Sequence, residues 1–211
     1  MYTVVEDHSP YYICYQHPGQ EEIVRICQEY LVGLKPVDRF THHKVDPQTA
    51  QRIADLIPIG QHIPIMLERV SLFITPPGVY YPAHKDGVDH RCSLNYAVKI
   101  LDNTCPTRWY ADADVLPHYT ITDPFQDNRS REARYFRPNL HTPVCSLITQ
   151  PGDVLLFNTD IFHDFDNRAS RHERVVLTVR FAEPDQHYFD KIKEKMFGPD
   201  TLENKREAPT F

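Results

Sequence analysis

The chain has 211 residues, 41% of them hydrophobic and 25% charged, the size and balance of one soluble globular domain with a sizeable core. Its net charge is −6, and its basic residues are scattered through runs such as DNRSREARYFR and KIKEKMF, which makes nucleic acid an unlikely partner, since that needs a concentrated basic face; no apolar run approaches the roughly 18 residues of a membrane span. Eighteen prolines against seven glycines, with neither a GxGxxG nor a P-loop string, point to a loop-rich fold rather than a Gly-rich phosphate cradle, while five cysteines without a CxxC and a polar start, MYTVVEDHSP, fit free thiols in a reducing cytoplasm.

The N-terminal third mixes helix and strand. YYICYQ reads as a short strand. GQEEIVRICQEYLVGL sets Ile23, Ile26, Cys27, Tyr30 and Leu31 at helical spacing, with acids early in the run. A second helix is expected in DPQTAQRIADLI, with Asp46 as its N-cap and Pro47 as its first residue.

From residue 66 the texture changes. MLERVSLFIT is followed by the breaker PPG and then by VYYPAH, RCSLNYAVKIL, TRWYAD, HYTIT, ARYFR, PVCSLIT, DVLLFN and RVVLTVRF. These are short, rich in β-branched and aromatic residues, and separated by Pro, Asp and Asn turns. Such a succession predicts a mainly β protein with flanking helices and a jelly-roll or cupin-like core. The expected organisation is a helix and strand segment over 1–65 packing on a barrel over 66–182, then a closing helix and polar tail over 183–211. Residues 102–141 are the least regular part, suited to a lid or to a plain surface insertion.

Within this frame, YYPAHKDGVDHRCSLNYAVKI places His84 and Asp86 two apart at a strand end, where their side chains point the same way. The spacing alone is weak, because twelve histidines give such pairs by chance, and a polar turn is the competing reading. A distal His163 follows the strand VLLFN, and after a polar loop a strand opens at Arg174. Along it Arg174, Val176, Thr178 and Arg180 share one face, and Val175, Leu177, Val179 and Phe181 the other. The apolar face belongs in a core; the Arg-bearing face meets water or lines a pocket that holds an anion, for which the guanidinium fork is well shaped. Two His and one carboxylate leave an octahedral iron(II) three open positions, whereas zinc more often takes a further strong ligand or a tetrahedral water. His90 is a rival ligand. Trp109 and Tyr110 read as core or pocket wall, and His42, His43 and His62 fall outside the barrel pattern.

The set HKD, a distal His and an Arg eleven residues later at the start of a strand resembles the iron(II)- and 2-oxoglutarate-dependent dioxygenases. The resemblance runs over roughly 66–182, through PPG, RCSLNYAV and PGDVLLFN…H…N…RVVLTVRF, and is closest to small prolyl- and aspartyl/asparaginyl-hydroxylase-like members. It implies a double-stranded β-helix core, with His84, Asp86 and His163 as iron ligands and Arg174 holding the distal carboxylate of 2-oxoglutarate. Asn95 and Tyr96 stand where co-substrate contacts arise in the family. Only one of them can face inward, and Asn95 is favoured because a polar residue in an apolar strand needs a partner. Arg91 is a further possible contact. The implied reaction uses O2 and 2-oxoglutarate to hydroxylate an amino acid, a peptide side chain or a small metabolite, releasing succinate and CO2. The alternatives are a non-catalytic jelly-roll binding module and a cupin-type metalloenzyme.

Overall fold

The computed structural model describes residues 2–86, 91–102, 104–111, 142–182 and 188–199. A seven-stranded antiparallel sheet runs in the order β1 (Thr3–His8), β2 (Tyr12–Gln16), β9 (Val154–Asn158), β6 (Cys92–Lys99), β11 (Arg174–Arg180), β4 (Ser71–Thr75) and β3 (Thr41–Lys44). A four-stranded sheet, β5 (Tyr80–His84), β10 (His163–Asp166), β7 (Pro106–Trp109) and β8 (Cys145–Ile148), packs against its inner face. This is the double-stranded β-helix, or jelly roll, that the strand pattern predicts.

Side-chain alternation divides the large sheet cleanly. Cys92, Leu94, Tyr96 and Val98 of β6 and Val175, Leu177 and Val179 of β11 enter one core with Ile23, Ile26 and Cys27 of α1 (Gln20–Val32), Ala50 and Ile53 of α2 (Pro47–Asp55), and Ile192 and Met196 of α3 (Tyr188–Phe197). The opposite face turns Ser93, Asn95, Arg174, Val176, Thr178 and Arg180 toward the small sheet. A slip of one residue would put the arginines in the helix-covered core and the valines in the pocket, so burial fixes the register.

Local chemistry sets the element ends. Asp46 caps α2, accepting from the amides of Gln48 and Thr49, with Pro47 in the first turn. The turn into β9 places Pro151 and then Gly152 at φ +85°, and Asp153 N–H closes it on the Gln150 carbonyl; only glycine takes that φ at the third turn position without strain. The PPG turn is held from a distance. Asn167 Nδ2 donates to the carbonyls of Thr75, Pro76 and His172, tying the approach to β5 to the approach to β11.

Three strands escape the sequence pattern. β1 (TVVEDH) and β3 (THHK) are short, polar and at sheet edges, so neither shows a clean alternation. With β2 they belong to the large sheet itself rather than to a layer packed on a barrel that begins at residue 66. β10 (HDFD) reads as a loop because nearly all of it is polar, yet it lies between β5 and β7. HYTIT, ARYFR, His90, most of the segment read as a possible lid and the tail beyond residue 199 lie outside the described residues.

β10 is possible as an inner strand because its polar groups are satisfied. Asp164, fully buried, accepts from Arg108 Nε at 2.8 Å and Nη2 at 2.9 Å, from Tyr80 Oη at 3.0 Å and from Tyr110 Oη at 2.8 Å. Removing Asp164 leaves the Tyr80 and Tyr110 hydroxyls without their acceptor and leaves Arg108 with only the longer contact to Asp166 at 3.3 Å, so a buried carboxylate and the bonds of its partners are lost together. Asp164→Ala is expected to cost about 3–5 kcal/mol of stability, against about 0.5–1.5 kcal/mol for Tyr110→Phe, which removes one donor of four. Urea denaturation of both variants checks the order; equal small losses would mean that the carboxylate does not anchor β10.

Candidate metal centre and anion site

The antiparallel pairing of β10 with β5 sets His163 directly opposite His84. Their rings lie 4.5 Å apart, and Asp86, two residues past the β5 partner, brings Oδ1 to 3.3 Å from His84 Nε2. One ligand atom from each of His84, Asp86 and His163 falls within 4.8 Å of the others. The hydrogen bonds also fix the tautomers. His84 Nδ1–H donates to the Pro82 carbonyl and His163 Nδ1–H to the Ile161 carbonyl, both at 2.8 Å. A carbonyl only accepts, so each Nδ1 carries the proton and each Nε2 presents its lone pair to the cluster, the orientation that outer hydrogen bonds impose on metal-ligating histidines. Burial, aided by neighbouring His84, lowers the His163 pKa to about 4, so its ring is neutral at physiological pH. Burial would raise the Asp86 carboxyl, but Arg180, His84 and His163 outweigh it and hold the group well below the usual carboxylate range. Two imidazoles and one carboxylate suit a divalent first-row metal that keeps open positions.

The two arginines that flank β11 have different surroundings. Arg180 Nη2 donates to Asp86 Oδ2 at 2.5 Å, so its charge is engaged with the metal cluster. Arg174 has no carboxylate partner among the described residues. Its Nη2 reaches Thr107 Oγ1 at 3.3 Å, its Cζ sits 5.3 Å above the Phe165 ring, and its Nε is buried without an acceptor. Phe165 pairs with Thr107 in the register in which His163 pairs with Trp109. Arg174 therefore stands one inward-facing step, roughly 7 Å of strand, from the metal ligand. A five-carbon dicarboxylate can bridge such a gap.

The other sequence-derived positions separate by parity. Asn95 lines the pocket and accepts from Ser93 Oγ at 3.1 Å, two residues back on the same face. Tyr96 points the other way into the main core, where its hydroxyl meets His17 Nε2 at 3.0 Å, and so it is not a pocket residue. Arg91 stands before β6, outside the pocket lining, 3.8 Å from Asp160. Trp109 and Tyr110 are buried wall and anchor: Trp109 stacks on Tyr12 at 5.0 Å, and Tyr110 serves Asp164. Sequence reasoning missed the aromatic wall of Phe40, Phe73, Tyr81 and Phe165. Its members come from four separate segments, and only strand pairing brings them together. A wider hollow beside the start of α1, between Gln16 and Arg25, holds no cluster of metal-ligating side chains among the described residues.

No protein-family model and no curated protein sequence matches the chain. Solved structures do. HygX from Streptomyces hygroscopicus, crystallised with nickel and 2-oxoglutarate, is 12% identical with a TM-score of 0.53 over 81% of this chain and 82% of its own. The same protein with nickel, 2-oxoglutarate and hygromycin B bound gives 14% and 0.52 over 81% and 82%. An oxidoreductase of the 2OG-Fe(II) oxygenase family from Burkholderia pseudomallei gives 13% and 0.52 over 82% and 85%. At these identities the likeness is one of fold.

A metal held by three ligands loses a bond with each one removed. Replacing His84, Asp86 or His163 by Ala is expected to lower manganese(II) affinity by more than the roughly 10- to 100-fold that loss of an outer hydrogen bond costs. Calorimetric titration checks it; stoichiometric binding that persists in all three variants would place the metal elsewhere.

Proposed function

We propose that this chain is an iron(II)- and 2-oxoglutarate-dependent oxygenase, of the small prolyl- or aspartyl-hydroxylase-like kind, acting in a reducing compartment. Its substrate is an amino acid, a peptide side chain or a small metabolite, which it hydroxylates with release of succinate and CO2. The observation that carries this reading is the guanidinium of Arg174, which has a buried Nε without an acceptor and no carboxylate partner among the described residues, in the same pocket as the His84, Asp86 and His163 cluster. A binding module needs no such cation, and a cupin-type centre has no use for one. The fold neighbours crystallised with nickel and 2-oxoglutarate support the reading, and the hygromycin B bound to one of them is consistent with a small-molecule substrate.

In this scheme His84 Nε2, His163 Nε2 and an Asp86 oxygen hold the iron, which when bound supplies the activation of dioxygen coupled to decarboxylation of the oxo acid. Arg174 receives the distal carboxylate through its fork, filling the unused Nε. Thr107, already within reach of Arg174, orients the guanidinium. Asn95 offers its amide nitrogen into the pocket while Ser93 holds its oxygen. Phe165 and Tyr81, stacked at 5.0 Å, close one side against water, so that hydrogen bonds inside are stronger than they would be in solvent. Arg180 keeps Asp86 ionised and oriented rather than serving the co-substrate.

A charge-assisted bidentate pair in a water-poor pocket contributes on the order of 2–4 kcal/mol, or roughly 30- to 1000-fold in affinity. Arg174→Ala is expected to weaken 2-oxoglutarate binding by that factor with manganese(II) affinity near wild type, and Arg174→Lys to recover little, because the fork is lost. Arg180→Ala is expected to disturb metal binding first. Calorimetry with manganese(II) present reads both. If Arg180→Ala abolishes 2-oxoglutarate binding and Arg174→Ala does not, the anion site lies at the other end of β11.

A further inference from the structure

Beside the metal cluster, the edge of the large sheet carries cations that no acid among the described residues neutralises. β3 pairs with β4 so that His42 faces Phe73 and Lys44 faces Ser71. Directly paired residues share a face, and Phe73 lines the pocket. Phe40, His42 and Lys44, at alternate positions, therefore project on the pocket side of the sheet edge. His42 lies flat on Phe73, with centroids 4.7 Å apart and planes at 12°. Phe40 packs on Phe73, Tyr81 and Phe165 at 5.6, 4.5 and 5.6 Å. The result is a continuous aromatic cluster, with Phe40 tilted by 33–43° to its three neighbours, that runs from the pocket to the sheet edge.

Charge gathers at the same place. Arg69 lies two residues before the start of β4, and the Val70 carbonyl beside it accepts from Val45, which follows Lys44. His42 is exposed at the sheet edge, and its partial desolvation against Phe73 lowers its pKa to about 4, followed in effect by the charges of Arg180, Lys44 and Arg69, while Asp86 acts in the opposite sense. One imidazole thus feels the Asp86–Arg180 pair of the metal cluster and both rim cations. Some cations elsewhere pair with acids, among them Arg25 with Glu22 and Glu29, Arg108 with Asp164, Lys99 with Glu173 and Lys193 with Asp7. Lys44 and Arg69 have no such partner among the described residues. Neither residue lines the pocket itself, but they stand on segments joined by the Val45–Val70 hydrogen bond, next to the strand edge that carries Phe40 and His42, and two unpaired cations so placed are a place for an external anion.

We infer that Lys44 and Arg69, with the Phe40, Phe73 and His42 surface, form the substrate wall of this site, and that the substrate carries a carboxylate or phosphate beside an apolar or ring portion. The ring portion lies on the aromatic surface, which points it toward the metal cluster, and the anion is held by Lys44 and Arg69. Neutral His42 adds a hydrogen bond without adding charge. The inference rests on the oxygenase reading for the identity of the ligand as substrate, but the anion site itself does not require it.

The test uses phenyl phosphate, benzoate and benzylamine as probes, titrated by calorimetry into the full chain. Manganese(II) and 2-oxoglutarate are present so that the metal and Arg174 are already occupied, and a parallel titration uses metal-free protein. Phenyl phosphate and benzoate are expected to bind and to weaken with added salt; benzylamine is not. Lys44→Glu with Arg69→Glu is expected to weaken phenyl phosphate binding at least tenfold, while Lys195→Glu, a charge reversal on α3 at the other face of the sheet, leaves it unchanged. Should the double reversal fail to fold, Lys44→Gln with Arg69→Gln gives the same comparison. Benzylamine binding as tightly as phenyl phosphate, or phenyl phosphate binding that is absent or survives the rim substitutions, overturns the inference. Absence of 2-oxoglutarate binding with phenyl phosphate binding intact in the metal-free protein overturns the oxygenase reading and leaves the anion wall standing.

Discussion

Strand β10 carries the site because its two faces do different work. His163 and Phe165 point inward to the pocket, and Asp164 and Asp166 point outward to Arg108, Arg168 and Tyr80. The inward face cannot be exact unless the outward face is anchored: a four-residue strand makes few ladder hydrogen bonds, and the buried Asp164 carboxylate adds four more contacts from both neighbouring strands. A ligand pair set by strand register is placed as firmly as that register. Here the register places His163 opposite His84 on one side and opposite Trp109 on the other.

The second constraint is the distribution of partners along β11. Its inward face presents Arg174 and Arg180 at the two ends, separated by Val176 and Thr178. Both cations lose hydration in the pocket, at an effective cost of order several kcal/mol for a fully buried ion. Arg180 offsets that cost within the fold, through Asp86. Arg174 does not: Thr107 and the face of Phe165 are weak compensation for a guanidinium with a buried, empty Nε. A fold that tolerates this deficit is less stable than one with Leu or Met at 174, and an anionic ligand that removes the deficit gains affinity from it.

Much of this was legible in the sequence, and the reason is periodicity. The alternation of RVVLTVRF assigned each residue of β11 to its face; on β6 alternation allowed only one of Asn95 and Tyr96 into the pocket, and the need of a polar side chain for a partner favoured Asn95. The shared orientation of His84 and Asp86 followed from a strand end, though their reading as metal ligands came only with the family resemblance, and Asp46 followed from ordinary capping chemistry. What periodicity could not supply was pairing. HDFD carries no apolar alternation because its inward positions meet a pocket and its outward ones ion partners, and THHK because it is a short polar edge strand, with His43 against Tyr30. His42 consequently read as a residue outside the barrel, though β3 delivers it to the pocket side. The pairing of Arg180 with Asp86 was equally hidden, since it is a contact across 94 positions of sequence.

The same reasoning explains why the bulk charge misleads. A chain at −6 reads as anion-repelling, but bulk charge acts at a distance through solvent that screens it within about 8–10 Å at physiological ionic strength. Inside that distance only local pairing counts. Where acids and bases are matched, as at Arg108 or Lys99, the surface is close to neutral for an approaching ligand. Around the pocket the matching fails in one direction: Asp86 is matched by Arg180, and Arg174, Lys44 and Arg69 exceed the acids that could neutralise them among the described residues. The aromatic wall between these cations excludes water and lowers the local dielectric, which lengthens their reach. An acidic protein can in this way hold a cationic pocket, with the excess positive charge concentrated along one sheet edge and one strand end.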